Sequence, residues 1–199
     1  MVLSADTVFL VLVFLTIKQR LFELRRSRLN QHALDDTGFS RVDSATSYQL
    51  MVSVHTAWFV AMLFEHAVHP RALPSPVILV CLGVFLVAQL LRLAVMRALG
   101  QQWNTQVMAP KDTARDPGVV TSGPYRYLRH PNYLAVILEF VSLPLIGGAV
   151  VTAVVCSAAN WLVLRHRIRA EERHLFSRPG YSEAFSKLPR FIPHIIGRQ

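Results

Sequence analysis

Apolar residues gather in five runs along the chain, Val2 to Ile17, Tyr48 to Val68, Pro76 to Leu99, Tyr133 to Ile146 and Ala149 to Leu164, separated by polar and basic segments. A helix crossing the hydrocarbon layer needs roughly 20 residues, which the second and third runs supply. The last two runs would form one apolar stretch of 32 residues but for Pro144, Gly147 and Gly148. A single helix of that length with breakers inside is disfavoured, so the pattern predicts a tight helical hairpin. After the first run, Lys18 to Asn30 continues the helical pattern, with Leu21, Leu24 and Leu29 near one face and Arg25, Arg26 and Arg28 available to lipid phosphates. Gly38 then marks a turn.

Composition fits that pattern. Apolar types make up 52% of the chain and charged types only 17%, against about 25% in water-soluble domains. Mean hydropathy is +0.35. A soluble domain, a disordered chain and a coiled coil are all excluded. The expected class is an all-α polytopic membrane bundle forming one domain over residues 1–199, with a cytoplasmic C-terminal cap.

The formal charge of +9 suggests either nucleic acid or membrane anchoring, and position decides between them. Six Lys and Arg lie between Lys18 and Arg41, five between Arg97 and Arg129, and eight between Arg165 and Arg198. Basic residues gather on the cytoplasmic side, so the stretch Tyr133 to Leu164 is crossed twice. Five transmembrane segments follow, with the N-terminus outside, the C-terminus inside and no nucleic-acid partner. The first run lacks a basic leader and a small-residue cleavage site, so it reads as a retained helix.

Cys81 and Cys156 fall inside membrane runs without a C-x-x-C partner and read as packing residues. His66 and His69 beside Glu65 invite a metal reading, but the other six histidines are scattered, and no metal site is expected. Polar groups within membrane runs are costly unless paired or facing a cavity. His55, Glu65, His66, Gln89, Arg92, Glu139 and Asn160 are of this kind. Glu65, Arg92, Glu139 and Asn160 are the candidates for a substrate pocket, with helix-to-helix hydrogen bonding as the competing reading.

Two clusters carry the densest chemistry. Thr121 to Tyr133 has turn formers at Gly123 and Pro124, three tyrosines, and Arg129-His130-Pro131, with Pro131 suited to the first turn of a helix. Arg165 to His174 continues the last apolar run outward; Asn160, Arg167, Glu171 and His174 share one helical stripe. A solvated helix with i,i+4 ion pairs is the plainer account. A stripe that starts with a polar residue inside the membrane and ends in charge outside it suits an interfacial site better.

Gly123-Pro-Tyr-Arg-Tyr-x-Arg-His-Pro-x-Tyr133, then Arg167-Ile-x-x-Glu-Glu172, Tyr181 and Arg190-Phe191-x-Pro193 resemble the isoprenylcysteine carboxyl methyltransferase superfamily of membrane enzymes. With Leu99-Gly100-x-x-Trp103 the motifs cover about residues 99–193. Gln19-Arg20-Leu21-x-Glu23, Ser27, Asn30 and His55-Thr56-x-Trp58-Phe59 to Glu65 resemble a bacterial branch that includes methyltransferases of alkylpyrones and alkylresorcinols. The resemblance implies an S-adenosylmethionine-dependent O-methyltransferase. By the same resemblance Tyr125, Leu128, His130, Pro131, Tyr133 and Glu171 contact the cofactor, while Arg167 and Glu172 lie nearest the transferred methyl. Its substrate would be a lipophilic small molecule drawn from the bilayer, bearing a carboxylate or an acidic hydroxyl. An NADPH-dependent sterol-reductase-like enzyme, which shares the Arg-His-Pro region, and a non-enzymatic membrane adaptor stay open beside it, as does a homodimer.

Overall fold

The computed structural model describes residues 4–36, 38–41, 43–110, 116 and 118–192; Pro193 of the last motif lies outside them. Among the described residues the chain forms α1 (Ala5–Asp36), β1 (Phe39–Arg41), α2 (Ala45–Val68), α3 (Ser75–Leu99), β2 (Met108–Pro110), α4 (Pro131–Ile146), α5 (Val150–Leu175) and the short α6 (Tyr181–Phe185).

The apolar first run and the basic segment after it are one helix, α1, because no proline or glycine interrupts its 32 residues. At 1.5 Å per residue it is about 48 Å long, well beyond the roughly 30 Å of a bilayer's hydrocarbon layer. Its basic half therefore continues past any membrane its apolar half enters. Ser44 caps α2 by accepting a hydrogen bond from the Ser47 amide. Pro76 and Pro131 stand in the first turns of α3 and α4, where the missing N–H costs nothing.

Two helices, α2 and α3 with its 3-10 continuation to Gln102, are long and apolar enough to cross a membrane; α4 is apolar but shorter. Only 17% and 22% of the most apolar stretches of those two helices are buried, whereas a core helix of a water-soluble protein would be mostly buried. Leu79, Val80, Leu86 and Leu90 of α3 and Val60 and Phe64 of α2 face outward, as lipid contact requires.

Helix α4 is the centre of the bundle. It packs between α3 and α5 and against α1, while α2 packs on α5 and reaches α4 through Trp58. Accordingly Ala135, Val136, Glu139, Phe140 and Leu143 are all buried. Pro144 cannot donate to the carbonyl four residues earlier, and that carbonyl, Phe140 O, accepts instead from the Trp58 indole at 3.3 Å. The same indole stacks on the Phe140 ring, with centroids 4.4 Å apart.

A three-residue turn, Gly147 to Ala149, joins α4 to α5. A Cβ on Gly147 would lie 2.6 Å from the Phe9 ring of α1. Gly148 has φ +73° and leaves only 2.0 Å between such a Cβ and the Arg71 carbonyl. Both positions therefore require glycine.

The all-α expectation needs one amendment. β1 and β2 pair antiparallel, Phe39 opposite Pro110 and Arg41 opposite Met108. This ribbon fastens the α1–α2 connection to the segment that follows α3, and Phe39 is buried beneath it. Three-residue strands carry too little alternation to be legible in a sequence.

Candidate active site

A cavity of about 330 Å3 opens among α1, α2, the ribbon, α4, α5 and the C-terminal segment, within the size range of small-molecule sites. One end is bordered by Trp103, Tyr125, His130, His174 and Tyr181; the other lies within the bundle, against Arg20, Val52, His55, Phe59, Arg92 and Val136.

Between the two ends stands Arg167. The buried stripe of α5, Asn160, Val163, Leu164, Arg167 and Ile168, turns this arginine inward. Its Nε donates to the Tyr133 hydroxyl at 3.0 Å, its Nη2 to the Thr105 carbonyl, and its Nη1 lies 3.7 Å from Asp43 and 3.3 Å from the Met51 sulfur. Tyr133 in turn donates to Glu171 Oε2 at 2.6 Å. The guanidinium is thus fixed from α4, the α1–α2 connection and the segment after α3. Asp43 and, through Tyr133, Glu171 balance its charge, and the residue borders the cavity.

Glu172 is placed differently from its neighbour. Its carboxylate accepts from His130 Nε2 at 3.0 Å and from Arg190 Nε at 3.0 Å and Nη2 at 2.5 Å, with Arg129 Nη1 at 3.2 Å. Burial raises its pKa, but the hydrogen bonds from His130 and Arg190 and the charge of Arg129 outweigh this and hold it at about 2. The backbone joins the same region: the Arg129 and His130 amides donate to the carbonyls of Pro189 and Arg190. Glu172 therefore ties α5, the entry to α4 and the C-terminal segment together, and among the described residues it is hydrogen-bonded to neither Arg167 nor Tyr133.

Deeper in the bundle is a network of four charges. Glu139 accepts from Arg20 and from Arg92 Nη2 at 2.8 Å, and Gln89 donates to its other oxygen at 3.0 Å. Glu23 receives Arg20 Nη1 at 2.5 Å and Arg92 Nη1 at 3.5 Å. Two cations and two anions cancel, so the group can be buried. The apolar runs single out Arg92 and Glu139, whereas Arg20 and Glu23 enter only as motif residues, because their partners are more than a hundred residues away in Glu139 and nearly seventy in Arg92.

Tyr125, His130, Tyr133, Glu171, Arg167 and Arg92 all border the cavity. Leu128 and Pro131 are buried behind its wall, and Glu139 is sealed beneath the two arginines that face it. Two substrate candidates do not border the cavity. Glu65 lies apart from the cavity and caps α5, accepting from the Val151 amide at 2.9 Å and from the Thr152 amide and hydroxyl at 2.7 and 2.8 Å. Asn160 is buried in helix packing and does not border the cavity. At Glu65 a polar residue in an apolar run serves helix assembly, the competing reading of the sequence, whereas Asn160 Oδ1 has no hydrogen-bond partner among the described residues. Two residues without a sequence signal are Asp116 and Arg178: their ion pair, with the guanidinium also donating to Gly118 O at 3.1 Å, fastens the segment before α4 to the C-terminal segment.

Among the described residues, no group of three or more His, Cys, Asp or Glu has the arrangement to hold a metal ion.

The family model for isoprenylcysteine carboxyl methyltransferases matches residues 79–177. The uncharacterized protein YpbQ of Bacillus subtilis is 32% identical over 84% of this chain and 96% of its own length. The protein-S-isoprenylcysteine O-methyltransferase of Schizosaccharomyces pombe is 31% identical over 57% of this chain, which spans about half, 48%, of that enzyme. The cobalt-zinc-cadmium resistance protein CzcN of Cupriavidus metallidurans is 27% identical over 71% of this chain and 61% of its own. A solved structure of a eukaryotic intramembrane Ras methyltransferase, ICMT, shares the fold with a TM-score of 0.54 at 23% identity, over 79% of this chain and 56% of that one. The motif-bearing half, the membrane-type helices and this shared fold agree: the chain belongs to the isoprenylcysteine carboxyl methyltransferase (ICMT) family.

Proposed function

We propose that this protein is an S-adenosylmethionine-dependent O-methyltransferase of the membrane, acting on a carboxylate or acidic hydroxyl of a lipophilic substrate. The observation that carries the reading is one cavity bordered together by polar and aromatic residues near the start of α4 and in the C-terminal segment, by Arg167, and by residues within the bundle. Such a space lets a water-soluble donor and a bilayer-soluble acceptor meet.

The donor's fit is supported by atoms left without partners. Trp103 Nε1, Arg129 Nε and Asn132 Oδ1 are buried without a hydrogen-bond partner among the described residues, and all three residues border the mouth. A ligand with both donors and acceptors, such as an amino acid joined to a nucleoside, would satisfy them. The carboxylate of Glu171 and the faces of Tyr125 and Tyr181 suit a positive sulfonium. Tyr125 keeps its phenol neutral, because burial and the nearby Glu171 charge push its pKa up.

When bound, the sulfonium supplies an activated methyl for in-line displacement by oxygen. The chain's own part is orientation and charge placement. Arg167 holds the acceptor oxygen, Tyr133 and Glu171 fix the guanidinium, and Glu172 keeps His130 and the C-terminal segment in place. We further propose five membrane crossings with the N-terminus outside and the cavity mouth on the cytoplasmic side, where the three basic segments lie.

Purified protein in detergent tests the reading. S-adenosylhomocysteine should raise the melting temperature and NADP should not. Labelled S-adenosylmethionine with a lipid extract should then yield a labelled lipid identifiable by mass spectrometry. Absence of both effects would overturn the proposal.

A further inference from the structure

Methyl transfer to a hydroxyl requires that its proton go somewhere, and the carboxylates around the cavity are occupied. Glu172 is held by two side chains and Arg129, Glu171 receives Tyr133, and Glu23 and Glu139 receive the paired arginines. On the bundle side of Arg167, among the described residues that border the cavity, a ring nitrogen offers the most basic lone pair. His55 of α2 borders the cavity, and its Nδ1 lies 2.9 Å from the Met51 carbonyl. A carbonyl oxygen only accepts, so Nδ1 carries the ring's proton and Nε2 of the neutral ring is an acceptor. Nε2 has no hydrogen-bond partner among the described residues. Packing against Phe140, with ring centroids 4.8 Å apart in an edge-on arrangement, fixes the ring's orientation.

Its position relative to Arg167 is set by the helix. Met51, whose sulfur touches Arg167, is four residues from His55, about one turn of α2. His55 and Arg167 both border the cavity, where an acceptor oxygen would meet a guanidinium and an imidazole.

We propose that His55 Nε2 accepts the hydroxyl proton of the methyl acceptor, making His55 a catalytic residue for hydroxyl-bearing lipids. The inference rests on the methyltransferase reading above. As the acceptor's O–H bond breaks toward Nε2, its oxygen forms the bond to the methyl carbon. The sulfonium–carbon bond breaks and its electron pair stays on sulfur, leaving a neutral thioether, a methyl ether and an imidazolium. The imidazolium returns its proton to water after product leaves. The charged groups at the ring's end of the cavity are Arg20 and Glu23 of α1, Arg92 of α3 and Arg167 of α5, with Glu139 of α4 beneath the paired arginines. Arg20, Glu23, Arg92 and Glu139 cancel in formal charge, and the guanidinium groups stabilise charge developing on oxygen.

The test compares His55→Leu and His55→Gln with the unaltered protein, using two acceptors, a long-chain alkylphenol and the same alkylphenol bearing a nitro group that ionises it at assay pH. S-adenosylhomocysteine binding checks that each variant is folded. Turnover of the plain phenol should fall about 100-fold in His55→Leu, while the pre-ionised nitrophenol should keep most of its rate. His55→Gln, which presents an amide oxygen but no base, should restore acceptor binding without restoring turnover. Without any methyl donor, the unaltered protein should bind the phenol about tenfold more tightly than its methyl ether, and His55→Leu should erase that preference. Equal losses on both phenols, or no loss on either, would overturn the role of His55. If S-adenosylhomocysteine fails to bind even the unaltered protein, the methyltransferase reading falls, and the comparison of phenol with ether still decides whether His55 receives a hydroxyl.

Discussion

The Tyr133 hydroxyl sits between Arg167 and Glu171, accepting from Arg167 Nε at 3.0 Å and donating to Glu171 at 2.6 Å. One phenol thus sets the position of a cation on α5 through a carboxylate a single turn further along the same helix. Arg167→Ala should lower methyl transfer by about 100- to 1,000-fold, the usual loss when a group that stabilises a transition state is removed. Tyr133→Phe should cost less, because Thr105 and Asp43 still hold the guanidinium. Single-turnover kinetics with S-adenosylhomocysteine binding as the folding control would measure both.

The four charges beneath the cavity predict a particular pattern of stability. Glu139→Leu leaves two guanidinium groups facing one carboxylate in a dry setting and should destabilise the protein by about 3–5 kcal/mol. Adding Arg20→Met removes an opposed charge and leaves Arg92 with Glu23, so the double variant should recover part of that loss. Denaturation in detergent would show it; a double variant weaker than Glu139→Leu alone would contradict the charge-balance argument.

Trp58 and Pro144 should be coupled. Trp58→Phe deprives the Phe140 carbonyl of its donor, at a cost of about 1–3 kcal/mol for an unpaired buried group. With Pro144→Ala the helix recovers an amide at that position, and Trp58→Phe should then cost less. A double-mutant cycle on thermal stability isolates the difference.

Stability should depend on acid through Glu172. Its pKa is held at about 2 in the folded protein, below the ordinary 4.5, so between those values the unfolded chain binds more protons than the folded one. The stabilisation is complete above about pH 4.5 and is lost as pH falls toward 2. Glu172→Gln should therefore show a flatter melting temperature across this acid range than the unaltered protein.

The helices were legible in the sequence because their apolar runs are long and bounded by proline and glycine. Those runs match α2, α3 and α4 to within a few residues. The cavity mouth was legible for a different reason: Tyr125, His130, Tyr133, Arg167 and Glu171 form local clusters whose spacing survives folding. What stayed hidden depends on long-range pairing. Arg20 and Glu23 stand in the sequence only as motif residues, since nothing local says that this turn of α1 meets Glu139 and Arg92. Glu65 and Asn160 read as pocket residues because burial of a polar group is visible in a sequence but its partner is not. Glu171 and Glu172 are adjacent and chemically alike, and only the packing of α5 sends one to Tyr133 and the other to Arg190.

The turn between α4 and α5 bears on how the chain is made. Phe9 and Arg71 wall its two glycines, and Glu65 caps the first turn of α5. All three belong to segments that leave the ribosome earlier. The last helix pair therefore finds its docking surface and its missing hydrogen-bond acceptor already synthesised, so the order of synthesis supplies each late piece with an early partner. A defect at Glu65, far from the cavity, would act on biogenesis before it acted on chemistry.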